Sequence, residues 1–135
     1  MRQPIEWDAD RWPNFRPEEG ANPDWPQSGL AYVEPVLLDA LQYLRDALSF
    51  PLPVASAYRS PIHNAAVSST GVTGPHTTGL AVDIAVCGGR SGPLLEHALS
   101  CDLFTGIGIH QRGPWEKRFI HLDMIERPYL TIWSY

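Results

Sequence analysis

Three observations predict an α+β fold: a strongly periodic leucine helix, strand-like segments separated by helices, and two consecutive strands late in the chain. The helix opens at Glu34-Pro35, with proline at a first-turn position. Leu37, Leu38, Leu41, Leu44 and Leu48 then recur at three- and four-residue steps, forming one apolar stripe. Asp39, Gln42, Arg45 and Asp46 fall on the opposite, polar face, and Pro51 and Pro53 end the helix. Val54-Ala55-Ser56-Ala57-Tyr58 reads as a short strand. Ser60-Pro61 supplies an N-cap and a first-turn proline for a short helix through Ala65. From Ala66 to Pro75 the chain is rich in Ser, Thr and Gly and is expected to be a loop.

Leu80 to Val86 alternates and has β-branched content, as a strand does. Gly88-Gly89 breaks the chain, and a further helix is expected over Pro93 to Leu99. Gly106-Ile107-Gly108-Ile109-His110 and Phe119 to Met124 are the two late strands, joined by the turn-like Gln111-Arg112-Gly113-Pro114. Pro4, Pro13, Pro17, Pro23 and Pro26 crowd the start of the chain, interleaved with Trp7, Trp12, Phe15 and Trp25. A disordered tail has no use for so many large aromatics. Residues 1–28 are therefore expected to be an irregular arm packed on the one domain that residues 1–135 form.

Composition excludes several function classes. The 135 residues are 44% hydrophobic and 19% charged, which fits a globular protein with a real core. Net charge is −5, without a cluster of Lys and Arg, so nucleic acid is not expected as the main partner. No apolar run approaches the roughly 20 residues that span a bilayer. The N-terminus lacks the apolar core of a signal peptide, so synthesis in the cytoplasm is expected. Cys87 and Cys101 have no metal-binding spacing; two buried free thiols are the plain reading, and a disulfide the alternative.

The chemistry concentrates where polar residues interrupt apolar strands. In Gly74-Pro75-His76-Thr77-Thr78-Gly79-Leu80-Ala81-Val82-Asp83-Ile84 the interruptions are His76 and Asp83; in Phe119-Ile120-His121-Leu122-Asp123-Met124 they are His121 and Asp123. Alternate strand residues share a face. Asp83 and Ala81 thus point together, as do Phe119, His121 and Asp123, opposite the aliphatic residues between them. A buried carboxylate needs a partner or a metal. Two histidines and one carboxylate form an open zinc site with water in the fourth position, so His76, Asp83 and His121 are the candidate ligands of one Zn²⁺. Glu116, five residues before His121, is the candidate proton shuttle. Arg59 is the candidate for binding an oxyanion or a substrate carboxylate. Asp123 could orient His121, and His110 and Tyr58 are further candidates for substrate contact or support. Singly, each histidine is more often a hydrogen-bonded core residue; His63 and His97 are read that way or as solvent-facing.

Ser56-Ala57-Tyr58-Arg59-Ser60-Pro61-Ile62-His63-Asn64, the His76 to Asp83 stretch and Phe119-Ile120-His121-Leu122-Asp123 resemble the D-Ala-D-Ala carboxypeptidase-type zinc peptidases. These are cell-wall enzymes and phage endolysins related in fold to the Hedgehog signalling domain. The family pattern S-x-H-x-x-G-x-A-x-D, followed later by a histidine strand, is met by His76, Gly79, Ala81, Asp83 and His121. Two positions depart: the family's serine is Gly74 here, and the glutamate of E-x-x-H is Arg118. The resemblance covers roughly Asn14 to Met124. It implies a small single domain with a central, mainly antiparallel sheet flanked by helices, zinc as cofactor, and peptidoglycan stem peptides or cross-links as substrate. With no signal peptide read at the N-terminus, a phage-released or virion-associated lysin acting on the cell wall is expected, with a bacterial cytosolic enzyme as the alternative; a monomer is expected. A zinc-containing but non-catalytic binding module on the same fold, and a metal-free structural virion protein, stand as the other readings.

Overall fold

The computed structural model describes residues 4–18 and 32–135. Trp25, Pro23 and Pro26 of the expected arm lie outside the described residues. The remainder forms three helices and one five-stranded sheet, the α+β arrangement expected. In chain order the elements are α1 (Pro35–Ala47), β1 (Val54–Ser56), α2 (Pro61–Val67), β2 (Ala81–Ile84), α3 (Ser91–Ser100), β3 (Gly106–His110), β4 (Phe119–Asp123) and β5 (Thr131–Ser134). The spatial order is β1-β2-β4-β3-β5, antiparallel throughout except for the parallel pair β3 and β5.

Helix α1 buries its leucine stripe: Leu37, Leu38, Leu41 and Leu44 are fully enclosed. They meet the aliphatic face of the sheet, where Val82, Ile84, Ile107, Ile120 and Leu122 are equally inaccessible. Gln42 is a correction to the helical wheel, because it is buried rather than solvated. Its amide donates to Asn14 Oδ1 at 2.7 Å and Asp46 Oδ1 at 2.9 Å, while its oxygen accepts from the Asn14 backbone N–H. Paired polar groups can be buried at little cost. The described part of the N-terminal segment is pinned over this face. Trp12 and Phe15 enter the core, and the Arg11 guanidinium grips both oxygens of Asp39 at 2.8 and 2.5 Å.

The short helix α2 begins as its sequence requires, with Ser60 Oγ accepting from the His63 N–H at 3.1 Å and Pro61 in the first turn. It runs to Val67, two residues beyond the expected Ala65. The expected loop that follows contains two single turns of 3₁₀ helix, Gly71–Thr73 and Pro75–Thr77. Helix α3 likewise extends past the predicted Pro93–Leu99 at both ends. Strands β1, β2 and β4 are shorter than predicted. Strand β5 was not predicted. Cys87 and Cys101 are free thiols, half-buried rather than buried.

Candidate metal centre

His76 is presented by a locked turn. It occupies the middle of Pro75–Thr77, entered from extended Gly74. Thr77 and Thr78 close the turn by donating their hydroxyls to Gly74 O at 2.7 Å and Pro75 O at 2.6 Å. Gly79 then leaves with φ of +76°, a left-handed conformation that glycine adopts without strain, and leads into β2. The same glycine's carbonyl accepts the Glu34 N–H at 2.8 Å, tying the turn to the start of α1.

Gly74, the departure from the family serine, is explained by crowding. A Cβ there would press on the Thr70 side chain and lie 2.7 Å from Asn64 Nδ2. Asn64 and Thr70, bonded to each other at 2.9 Å, fill the space that a serine side chain would need. Gly74→Ser is expected to cost about 1–3 kcal/mol by overpacking, read as a lowered urea midpoint at unchanged slope.

Asp83 and His121 face one another on adjacent central strands, in the antiparallel register Asp83↔His121. The row continues through Gly108 on β3 to Trp133 on β5. All three candidate ligands are nearly sealed, with 6% of His76, 7% of Asp83 and 2% of His121 exposed. The donor atoms converge: His76 Nε2 lies 3.3 Å from Asp83 Oδ2, and His121 Nδ1 lies 2.9 Å from Asp83 Oδ1. One donor from each residue falls within 4.8 Å of the others. Tetrahedral zinc with bonds near 2.0–2.2 Å requires ligand atoms about 3.3–3.5 Å apart, so small side-chain shifts suffice.

The remote nitrogen of His76 settles its tautomer. His76 Nδ1 is 2.6 Å from Ala57 O, a carbonyl that can only accept, so this nitrogen carries the hydrogen and Nε2 the lone pair. Both His121 nitrogens face carboxylates, Nε2 at 2.8 Å from Asp123 Oδ2 and Nδ1 at 2.9 Å from Asp83 Oδ1; with the hydrogen on Nε2, the Nδ1 lone pair is left for a cation. Asp123 is fully buried and is held in turn by the Arg127 guanidinium, which spans both its oxygens. Such outer partners fix ring orientation and raise ligand basicity. Asp123→Asn, which keeps the shape and removes the charge, is expected to weaken zinc binding roughly tenfold in chelator competition.

Burial pushes the Asp83 carboxyl up, but the His121 and His76 imidazoles beside it outweigh burial and hold the pKa at about 2. Burial alone would lower the His121 pKa. Its bonds to Asp123 and Asp83, and their charges, reverse this and set it above the ordinary 6.5. Two lone pairs facing one carboxylate repel unless a cation or a proton stands between them. Zinc must therefore displace a proton from His121 below that raised pKa. Apparent zinc affinity is expected to climb up to about tenfold per pH unit, still rising above pH 6.5, and to flatten once His121 is neutral. Calorimetric titration across pH 5.5–8.5, a span of about three units around the histidine range, checks this.

A cavity of about 440 Å³ opens over the cluster, walled by Arg59, Pro75, Phe119, Arg127, Trp133 and Tyr135 among others. Arg59 reaches toward the cluster, with Nη2 3.9 Å from Asp83 Oδ2. Ser56 Oγ and Asn64 Oδ1, each at 3.2 Å, steady its guanidinium. Glu116 is not brought to this place. It is exposed on the Trp115–Lys117 turn and does not line the cavity. Tyr58 turns into the core and stacks on Tyr32 at 5.2 Å. His110 stacks on the cavity residue Phe119 at 4.9 Å without lining the cavity itself. Arg127, Trp133 and Tyr135 were missed from the sequence. The alternation of Thr131-Ile132-Trp133-Ser134-Tyr135 was the signal that could have found the last two.

Antiparallel strands and the turn before β2 thus hold two histidines and a carboxylate beneath an open cavity, a donor set that could hold a metal ion. The family model for peptidase M15 matches residues 16–123, and the chain belongs to that family. M15 peptidases are zinc-dependent metallopeptidases, and the His-Asp-His donor set suits that ion. No curated protein and no solved structure matches the chain. Among the described residues no helix is long and apolar enough to cross a membrane.

Proposed function

We propose that this chain hydrolyses peptide bonds of bacterial peptidoglycan, as a D-Ala carboxypeptidase or an endopeptidase, with one zinc ion held by His76, Asp83 and His121. The carrying observation is the cavity that joins this donor set to the Arg59 guanidinium. Bound zinc supplies Lewis acidity and a water of lowered pKa. Arg59 is placed to hold a terminal carboxylate, or the carbonyl oxygen as it becomes negative. Hydrolysis adds water across the C–N bond: hydroxyl goes to the acyl carbon, the bonding pair to nitrogen, and a proton follows to form the amine. Glu116 as the group that moves that proton requires the Trp115–Lys117 turn to swing over the cavity. A monomer acting on the cell wall as a phage-type lysin is the setting that the resemblance supports.

A second reading, a zinc-bearing binding module without catalysis, is favoured by one observation. Among the described residues, Asp83 is the only carboxylate that lines the cavity, and it belongs to the candidate donor set. Incubating the zinc-loaded protein with muropeptides and finding new amines by mass spectrometry supports the peptidase. Stoichiometric zinc with no cleavage across the panel establishes the module instead.

A further inference from the structure

Strand β5 places a hydroxyl group beside the metal donors. The cross-sheet row Ser56, Asp83, His121, Gly108, Trp133 puts Arg59 and the β5 aromatics at opposite ends of the same face. Gly108 makes this possible. A Cβ there would lie 2.6 Å from Trp133 Nε1 and 2.9 Å from Tyr135 Cε2, so both rings reach across β3 only because that side chain is missing. Trp133 comes to 5.1 Å from the His121 ring, centroid to centroid. The phenol edge of Tyr135 lies over Gly108, whose strand neighbour is His121, about 4.8 Å away in the hydrogen-bonding direction.

Tyr135 is also held. Its backbone N–H donates to Ile109 O at 3.2 Å, and its ring packs against Phe119 at 5.1 Å and edge-on to His110 at 5.8 Å. Trp133 Nε1 and the edge of the Tyr135 ring share the space over Gly108, so the indole backs the phenol. The side chain stays 48% exposed and lines the cavity, so substrate can meet it. Of the other polar groups of the wall, Arg127 is held by Asp123, and Ser68 Oγ bonds Thr70 Oγ1 at 2.9 Å.

We propose that the Tyr135 hydroxyl donates a hydrogen bond to the carbonyl oxygen of the scissile peptide as that oxygen becomes negative, from the side of the metal donors opposite Arg59. This rests on the peptidase reading of the same site. Trp133 is the positioning residue, packed beside the phenol over Gly108.

The test compares wild type, Tyr135→Phe and Trp133→Phe, each loaded with zinc. Cleavage of muropeptides is measured beside calorimetric binding of a phosphinate isostere of D-Ala-D-Ala, whose tetrahedral anionic oxygens resemble the reacting carbonyl. For Tyr135→Phe, kcat is expected to fall about 10²-fold with KM within about twofold. Phosphinate affinity should fall by a comparable factor, while zinc content and melting temperature stay unchanged. Trp133→Phe should show a smaller loss in the same direction. Wild-type kcat and phosphinate affinity in Tyr135→Phe overturn the proposal, as does loss of zinc from that variant, which marks a structural role. A zinc-loaded wild type that neither cleaves nor binds the phosphinate overturns the peptidase reading itself, and this inference with it.

Discussion

Replacing His121 with alanine is expected to take zinc from one ion per chain to almost none and to lower peptide hydrolysis by at least about a thousandfold. Metal catalysis of this kind is worth several kcal/mol, and each 1.36 kcal/mol is a factor of about ten. His121 is the junction of the site. Its Nδ1 faces Asp83, its Nε2 is fixed by Asp123, and only 2% of the residue is exposed. Without it, His76 and Asp83 are two donors, fewer than the three protein ligands a catalytic zinc site uses. Loss of the imidazole also leaves buried Asp123 without a partner that faces it at 2.8 Å, which destabilises the fold directly. Asp83→Asn separates the two effects, since it keeps the volume while removing the ligand charge. Metal analysis by mass spectrometry and melting of the wild type with a chelator complete the comparison. Should His121→Ala retain stoichiometric zinc, the donor set is misassigned.

The metal donors could be read in the sequence because a strand has a period of two and its aliphatic face must be buried. Val82, Ile84, Ile120 and Leu122 fix which way β2 and β4 face, so Asp83 and His121 are left on the other side, and register makes them neighbours. The leucine helix was readable for the same reason, at a period of 3.6. What escaped depends on partners remote in sequence. Gln42 sits on the polar side of its helical wheel yet is buried, because Asn14, 28 residues earlier, satisfies it. Strand β5 is four residues long and pairs in parallel with β3 across β4's chain segment, so no hairpin turn announces it. Glycines 106 and 108 were read as part of a strand, but their purpose is spatial. A Cβ on Gly106 would crowd the Asp123–Arg127 pair, and one on Gly108 would crowd Trp133 and Tyr135. For Glu116, spacing could not show the 3₁₀ turn that leaves the residue exposed and off the cavity wall.

Trp12→Ala is expected to cost about 3–5 kcal/mol, the range for deleting a large buried aromatic. For a chain of this length that lowers the melting temperature by roughly 10–20 °C. Trp12 is only 1% exposed, its indole N–H donates to Asp39 Oδ1 at 2.9 Å, and Trp7 packs on it at 5.0 Å. Together with Arg11 it clamps the N-terminal segment to α1, whose opening residue Glu34 bonds the turn that presents His76. That backbone bond is one route by which damage at Trp12 could reach the metal site. The partners of Trp12 are Asp39, Trp7 and Arg11, none of them a metal donor, and sites without shared partners add rather than couple. Zinc binds the folded chain, so a hundredfold excess over its dissociation constant should stabilise wild type and Trp12→Ala alike, by about 2.7 kcal/mol. Calorimetric melts of both proteins, with zinc and with chelator, measure the four corners of that cycle. Equal zinc stabilisation places Trp12 in the scaffold alone. A markedly smaller gain in the variant would instead mean that the clamp on α1 holds the His76 turn in its metal-binding geometry.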